Sequence, residues 1–239
     1  MVNRAPGVSY RDLRDWLTLV DSIGELKRIE GADWNLEIGT IAELIYRERP
    51  GVIPALLFDN IQGYPQGFRI LFGQQLSLRR LALILGLPLE ANALGLVDLF
   101  RQKLSMLEPL PPRIVDHGAV LENRLSGEDV DLFKFPVPLI HELDGGRFIG
   151  TACIAITRDP DEGWVNLGTY RAMAHDSRRM GLFTSSVSKH GRIHMEKYFR
   201  ARKPCPVVVC VGQDPLLVVA GGHPIESGYS EYDYCGGLK

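Results

Sequence analysis

Pro109-Leu110-Pro111-Pro112 limits the fold of this chain more sharply than any other stretch. Proline has no N–H to give a sheet ladder, and its ring is rejected by helix interiors, so the stretch reads as a stiff connector between two units. On its N-terminal side, helix and strand patterns alternate. Leu13, Trp16, Leu17 and Val20 recur at i, i+3, i+4 and i+7, with Ser9 as the expected N-cap and Gly24 as the stop. A strand over Glu25–Ile29 follows, then a helix over Asn35–Arg49 ended by Pro50-Gly51. Strands over Pro54–Ile61 and Phe68–Phe72 lead to helices over Leu76–Leu85 and Ala91–Leu104, the latter striped by Ala93, Leu96, Val97, Phe100 and Leu104. Such alternation predicts an α/β domain over residues 1–107.

Beyond the connector the pattern changes to strand-like runs: Arg113–Leu121, Phe148–Arg158, Gly163–Arg171, Met180–Ser185, Pro206–Val211 and Pro215–Ala220. His190–Lys203 is the one convincing helix among them, and Asp159-Pro160-Asp161-Glu162-Gly163 reads as a hairpin loop. An antiparallel barrel over residues 113–239 is the expectation, giving an α+β chain. Ser230 and Glu231 look like the start of another helix, with Ser230 as N-cap and an acid in the first turn. So close to Lys239, that helix is expected to find little to pack against, which makes the chain read as the front of a longer, incomplete architecture.

With 27 basic and 29 acidic residues the net charge is −2, too small to draw nucleic acid or an anionic membrane to the whole surface. No apolar run approaches a bilayer span and Met1–Gly7 has no signal-peptide core, so the expectation is a soluble, cytoplasmic protein. Cys153, Cys205, Cys210 and Cys235 lack zinc-type spacing and are expected as buried reduced thiols. GxGxxG, P-loop and GxSxG motifs are absent, which removes support for a Rossmann nucleotide site, a kinase or a serine hydrolase.

Chemistry concentrates in Trp164-Val165-Asn166-Leu167-Gly168-Thr169-Tyr170-Arg171. On a strand Asn166, Gly168 and Tyr170 share one face, while Thr169 and Arg171 share the other. The Asn166 amide oxygen is a hard metal ligand, Gly168 leaves room for close approach, and Arg171, expected to be buried, requires an anion or a carboxylate partner. Asn166, His190 and Glu231 are ligand types that suit a divalent cation, although taken singly each is more simply a structural residue. His194, one turn after His190, reads as a satisfied structural histidine. Gly221-Gly222-His223-Pro224 reads as a loop closing a strand, and Lys197, Arg200, Arg202 and Lys203 as a solvated helix end.

Asp131-Leu132, Phe135-Pro136-Val137-Pro138, Thr157-Arg158-Asp159-Pro160, Asn166 to Arg171, His190, Gly212-Gln213-Asp214-Pro215 and Ser230-Glu231-Tyr232 together resemble, in order and spacing, the UbiD family of reversible decarboxylases. The resemblance implies an N-terminal α/β domain and a split β-barrel that binds prenylated FMN. It also implies decarboxylation of an aromatic or α,β-unsaturated acid, a flavin prenyltransferase as cofactor supplier, and a homo-oligomer or a chain completed by a C-terminal partner. By residue-wise match, Mn²⁺ would be held by Asn166, His190 and Glu231. A K⁺ site would use backbone oxygens near Trp164, Gly221 and His223 together with Glu231, and the cofactor would lie against Thr169, Tyr170, Arg171, Lys189 and His190. Arg171 matches the arginine of the family's Glu-Arg-Glu network, whose two acids lie after the Ser-Glu-Tyr motif in family members and have no match before Lys239. Lys189 stands where some members carry glutamine. Two other readings stay open: a flavin- and metal-binding piece without catalysis, and a flavin reductase on a similar barrel.

Overall fold

The computed structural model describes residues 8–48, 51–184, 186 and 188–239, so the expectations placed on Met1–Gly7, Arg49, Pro50 and Ser185 lie outside the described residues. The N-terminal half follows the expected alternation: α1 (Leu13–Ser22), β1 (Leu26–Glu30), α2 (Glu37–Glu48), β2 (Ala55–Asp59), β3 (Ile70–Phe72), α3 (Leu78–Leu85) and α4 (Ala93–Ser105). The cap of α1 is Asp12 rather than Ser9, because the Asp12 carboxylate accepts from the N–H groups of both Arg14 and Asp15. Gly24 ends the turn at φ 73°, a conformation open to glycine at little cost.

β1 and β2 run parallel, from Leu26 opposite Ala55 to Glu30 opposite Asp59, and α2 is the crossover that parallel pairing requires. β3 adds antiparallel to β2. β2 is buried on both faces. Ala55 packs with Trp16, Val20, Ile84 and Leu85 on one side, whereas Leu56 and Phe58 pack with Ile38, Ala42 and Ile61 on the other. Each fully buried Leu, Ile or Phe contributes about 1.5–3 kcal/mol. Of the α4 stripe, Leu96 is buried but Val97 is 67 % exposed.

The second half is β4 (Arg147–Gly150), β5 (Ile154–Arg158), β6 (Val165–Gly168), β7 (Ala172–Ala174), β8 (Met180–Leu182), α5 (His190–Arg200), β9 (Val207–Cys210), α6 (Pro215–Gly222) and α7 (Glu231–Leu238). Among the described residues the strands form two three-stranded antiparallel sheets, β4-β7-β8 and β6-β5-β9, with no closed barrel. The single strand expected over Phe148–Arg158 is divided between them, since the chain turns after Gly150, whose backbone lies against the Cys153 side chain. The expected strand Arg113–Leu121 is instead exposed irregular chain ending in a 3₁₀ turn at Ala119–Leu121, because Ile114 and Val115 meet no sheet edge.

Pro215–Ala220 is helix rather than strand. Asp214 accepts from the Leu216 N–H at 2.9 Å and Pro215 takes the first turn, two local helix signals inside a run whose hydrophobicity has no period to read. α6 is apolar all round because it is buried on two sides. Leu216 and Ala220 enter the core of α1 and α3, and Val218 joins Ile154 and Leu167 on the β6-β5-β9 sheet.

α7 opens at Ser230 as expected, but it does not lack packing: Cys235 and Leu238 fill the same core as Trp16 and Leu216. The Leu110 N–H in the proline connector donates to the Asp233 carbonyl at 2.9 Å. A Cβ on Gly236 would come within 2.1 Å of the Leu110 carbonyl oxygen, so glycine is what lets α7 and the connector touch. All four cysteines are free thiols, Cys153 and Cys235 buried and Cys205 and Cys210 half-buried. Among the described residues no helix is long and apolar enough to cross a membrane.

Candidate functional site

β6 is an edge strand with α5 packed toward one face and α6 toward the other. In its pairing with β5, Asn166 stands opposite Thr157 on the α5 side, while Leu167 and Ile156 face α6 and Tyr232. The free edge of β6 is closed by two unlike groups. The Leu167 N–H donates to Glu231 Oε2 at 2.7 Å, and the Thr169 N–H donates to the Gly221 carbonyl at 3.3 Å.

Glu231, in the first turn of α7, is 3 % exposed, and among the described residues no Lys, Arg or His lies within ion-pair distance of it. Burial pushes its carboxyl above the usual range, opposed by the Leu167 N–H and its own backbone N–H.

Tyr170 ties the next element to the same place. After Gly168 the chain folds back, the Tyr170 N–H donating to the Gly168 carbonyl at 3.1 Å, and the phenol oxygen accepts from the Gly191 N–H at 3.2 Å. Its ring lies between two glycines: a Cβ at Gly168 would fall 2.4 Å from Tyr170 Cζ, and one at Gly191 would fall 2.7 Å from Cε2. The close approach that Gly168 permits is therefore by Tyr170 itself. Burial pushes the Tyr170 phenol up, keeping it neutral.

His190 opens α5 directly before Gly191. Its Nε2 is 3.3 Å from Ser227 Oγ, and Trp164 meets it edge to face at 5.1 Å between ring centroids. Burial, with Lys189 next in chain, pushes its imidazole down, toward the neutral form that can ligate a metal. Asn166, His190 and Glu231 come from β6, α5 and α7: Glu231 accepts from the residue after Asn166, and His190 lies against Trp164, two residues before it. Among the described residues no three His, Cys, Asp or Glu side chains gather to hold a metal, so a site here depends on the Asn166 amide as well.

Other expected residues lie differently. Arg171 is exposed rather than buried, past the end of β6. Its guanidinium lies 5.0 Å from the Phe183 ring centroid and its carbonyl accepts from the Phe183 N–H at 3.2 Å, while no carboxylate pairs with it among the described residues. Solvent removes the need for a buried partner. Lys189 is exposed at the N-cap of α5 and gives it no side-chain cap. Gly221 and Gly222 close a helix, not a strand, and His223 follows as its C-cap with its ring between Phe100 and Tyr234. The Trp164 carbonyl already accepts from the Asp159 N–H at 2.9 Å.

A buried network behind Asn166 was not foreseen beyond His194. His194 is fully buried, its Nδ1 2.9 Å from Thr157 Oγ1, with Trp164 against its ring at 4.3 Å. Lys197 is no solvated helix-end charge, since it reaches 2.7 Å to the buried Asp159 carboxylate. Burial pushes Asp159 up, but Lys197 and the N–H groups of Glu162 and Asp161 outweigh it and bring the carboxyl down to about 2. Thr157 and Asp159 stand at and just past the end of β5, and His194 and Lys197 on α5, so tertiary packing rather than any sequence spacing joins them.

Residues 113–239 match the 3-octaprenyl-4-hydroxybenzoate carboxy-lyase Rift-related domain and residues 17–100 match the corresponding N-terminal domain, both of the UbiD family. The chain is 38% identical over 239 residues to a pyrrole-2-carboxylic acid decarboxylase of Pseudomonas aeruginosa, covering 96% of this chain and 47% of that protein. It is 31% identical to ferulic acid decarboxylase 1 of Candida dubliniensis, over 94% of this chain and 46% of that one. Its fold superposes on the closed form of Sedimentibacter hydroxybenzoicus vanillic acid decarboxylase with a TM-score of 0.87 at 26% identity, covering 96% of this chain and 48% of the other. The UbiD-class enzyme HmfF of Pelotomaculum thermopropionicum, solved in complex with FMN, superposes at a TM-score of 0.80 and 26% identity, over 96% and 48%. The chain spans about half the length of these relatives. With both family domains matched in order, the chain belongs to the UbiD family of carboxy-lyases.

Proposed function

We propose that this chain is the cofactor-binding part of a non-oxidative, reversible decarboxylase for an aromatic or α,β-unsaturated carboxylic acid, using prenylated FMN with Mn²⁺ and K⁺. The observation that carries this reading is Glu231: a buried carboxylate with, among the described residues, no cationic side chain beside it, hydrogen-bonded to the N–H of Leu167, the residue after Asn166. Ionising a carboxylate in such a place is costly unless a cation sits beside it. One carboxylate, one amide oxygen and one neutral imidazole form a donor set suited to Mn²⁺, so the residues present fit the group.

In this reading Asn166, His190 and Glu231 hold Mn²⁺, and backbone oxygens around Trp164, Gly221 and His223, with Glu231, hold K⁺. Held there, the cations would offset the charge of the flavin phosphate, and Thr169, Tyr170, Arg171, Lys189 and His190 would border the cofactor. The bound prenylated flavin supplies an electron sink that lets the C–CO₂ bond break. Arg171, exposed and lying 5.0 Å over the Phe183 ring, would take the substrate carboxylate in a bidentate grip. The two units read from the sequence, residues 1–107 and 113–239, would carry the α/β layer and the flavin-binding sheets of a split barrel. A homo-oligomer, or completion by a C-terminal chain, and a flavin prenyltransferase as supplier belong to the same proposal.

The test is purification after co-expression with a flavin prenyltransferase, followed by measurement of bound flavin, Mn²⁺ and CO₂ release from a panel of aromatic and acrylic acids. Asn166→Ala and Glu231→Ala are expected to lose metal and flavin together. Full retention of both in each variant would defeat the proposed ligand set, and steady NADH oxidation without Mn²⁺ would favour the flavin reductase reading instead.

A further inference from the structure

The buried polar groups behind Asn166 lie in series, joined by hydrogen bonds except between Asp159 and His194 Nε2, which face each other at 3.6 Å, beyond hydrogen-bond reach, and leave Nε2 without a partner among the described residues. Asp159 Oδ2 is 2.7 Å from Lys197 Nζ and 3.6 Å from His194 Nε2. His194 Nδ1 is 2.9 Å from Thr157 Oγ1, which is 3.3 Å from Asn166 Nδ2. Asp159, His194, Thr157 and Asn166 are each no more than 4 % exposed, so water does not compete for these bonds.

With one proton on the hydroxyl and one on a neutral imidazole, the path has two consistent arrangements. In the first, the Asn166 NH₂ donates to Thr157, Thr157 donates to His194 Nδ1, and the His194 Nε2–H points at Asp159. In the second, every bond reverses: His194 Nδ1–H donates to Thr157, Thr157 donates to the Asn166 oxygen, and a bare Nε2 lone pair faces a carboxylate. Lys197 keeps Asp159 anionic, and an anion beside a lone pair is repulsive, so the first arrangement wins.

We propose that Lys197, Asp159, His194 and Thr157 act as a positioning relay that locks the Asn166 carboxamide in a single flip, its nitrogen on Thr157 and its oxygen free for a cation. Only the amide oxygen can ligate a cation; the reversed amide would present N–H groups to it. The relay rests on Asn166 being a ligand, as proposed above. Groups that orient a ligand in this way are typically worth 10- to 100-fold in metal affinity.

Mn²⁺ binding in the presence of FMN, followed by the paramagnetic resonance of free Mn²⁺, tests the relay. Thr157→Val removes the hydroxyl at nearly constant volume and is expected to weaken Mn²⁺ at least about 10-fold; Thr157→Ser, which keeps it, is expected to stay close to wild type. Equal losses in the two variants, or wild-type affinity in Thr157→Val, would overturn the relay. The ¹⁵N spectrum of His194 decides independently of metal: the Nε2–H tautomer is required, and an Nδ1–H tautomer refutes the assignment. If Asn166→Ala binds Mn²⁺ as wild type does, the ligand reading fails by itself, while the tautomer still rules on the path.

Discussion

Glu25 and Glu231 are equally buried, each 3 % exposed, yet they are treated in opposite ways. Glu25, in the N-terminal half, accepts from Arg80 at 2.8 Å, from the Ser77 hydroxyl at 2.6 Å and from Arg79 at 3.2 Å. Arg80 is itself fully buried and gives its other nitrogen to the Gly73 carbonyl at 2.9 Å. The carboxylate is compensated within the protein, although Arg80 Nε itself has no partner among the described residues, and the result is a clamp between α3 and the turn before β1. Glu231 has one strong donor, a backbone N–H, and among the described residues no cationic neighbour. A carboxylate that is complete in itself reads as structure, and one left to be completed reads as a site.

The sharpest way to break this contrast is to remove a partner from the complete pair. Arg80→Met leaves Glu25 buried without its closest cation and is expected to cost about 3–5 kcal/mol in urea unfolding. Adding Glu25→Gln should recover much of that loss. A cost under about 1 kcal/mol for Arg80→Met would mean the clamp is not energetically distinct.

The incomplete carboxylate should behave in reverse. Glu231→Gln is expected to change metal-free stability by no more than about 1 kcal/mol, since it removes an uncompensated charge and keeps a partner for Leu167. Mn²⁺ at about 100 times its dissociation constant should stabilise the wild-type chain by about 2.7 kcal/mol and the variant hardly at all. Thermal melts with and without Mn²⁺ measure both, and equal stabilisation of the two proteins would remove the distinction between Glu25 and Glu231.

Asp159 lies between these extremes, compensated by a half-exposed Lys197. Its carboxyl is lowered from 3.8 to about 2 in the folded chain, so the unfolded state binds the proton more tightly. Its contribution is therefore fully present above pH 3.8 and is lost as the pH falls toward about 2. Asp159→Asn should cost about 2 kcal/mol at neutral pH, with the difference from wild type closing through that acid window. A difference independent of pH would assign the cost to packing instead.

What the sequence disclosed follows from how local each signal is. Helices α1 to α4 and the strands between them were legible because period, caps and breakers agree within a few residues of one another. Ser230 and Glu231 were legible for the same reason. Pro215–Ala220 was not, since a run buried on two sides has no polar face, and only the Asp214 cap and Pro215 in the first turn speak for a helix. Glu25 with Arg80, and Thr157 with His194, are separated by tens of residues and joined by tertiary packing, so no spacing announces them. Arg171 differs again: the alternating pattern runs on to it, but β6 ends at Gly168, where the chain folds back and leaves Arg171 in solvent.

The smallest expected effect on stability is at Arg171. Arg171 touches Phe183 by a face-on cation contact at an exposed position, worth about 0.5–1 kcal/mol at most. Arg171→Ala should therefore melt within about 1 kcal/mol of wild type and keep its flavin and Mn²⁺, while CO₂ release falls on the order of 100-fold because the substrate carboxylate loses its bidentate partner. Arg171→Lys separates charge from geometry: an ammonium keeps the attraction but not the planar fork, so turnover should stay low if orientation is what Arg171 supplies. Full activity in the lysine variant would mean that charge alone suffices. Loss of flavin in the alanine variant would instead place Arg171 with Glu231, among groups that hold the cofactor rather than the substrate.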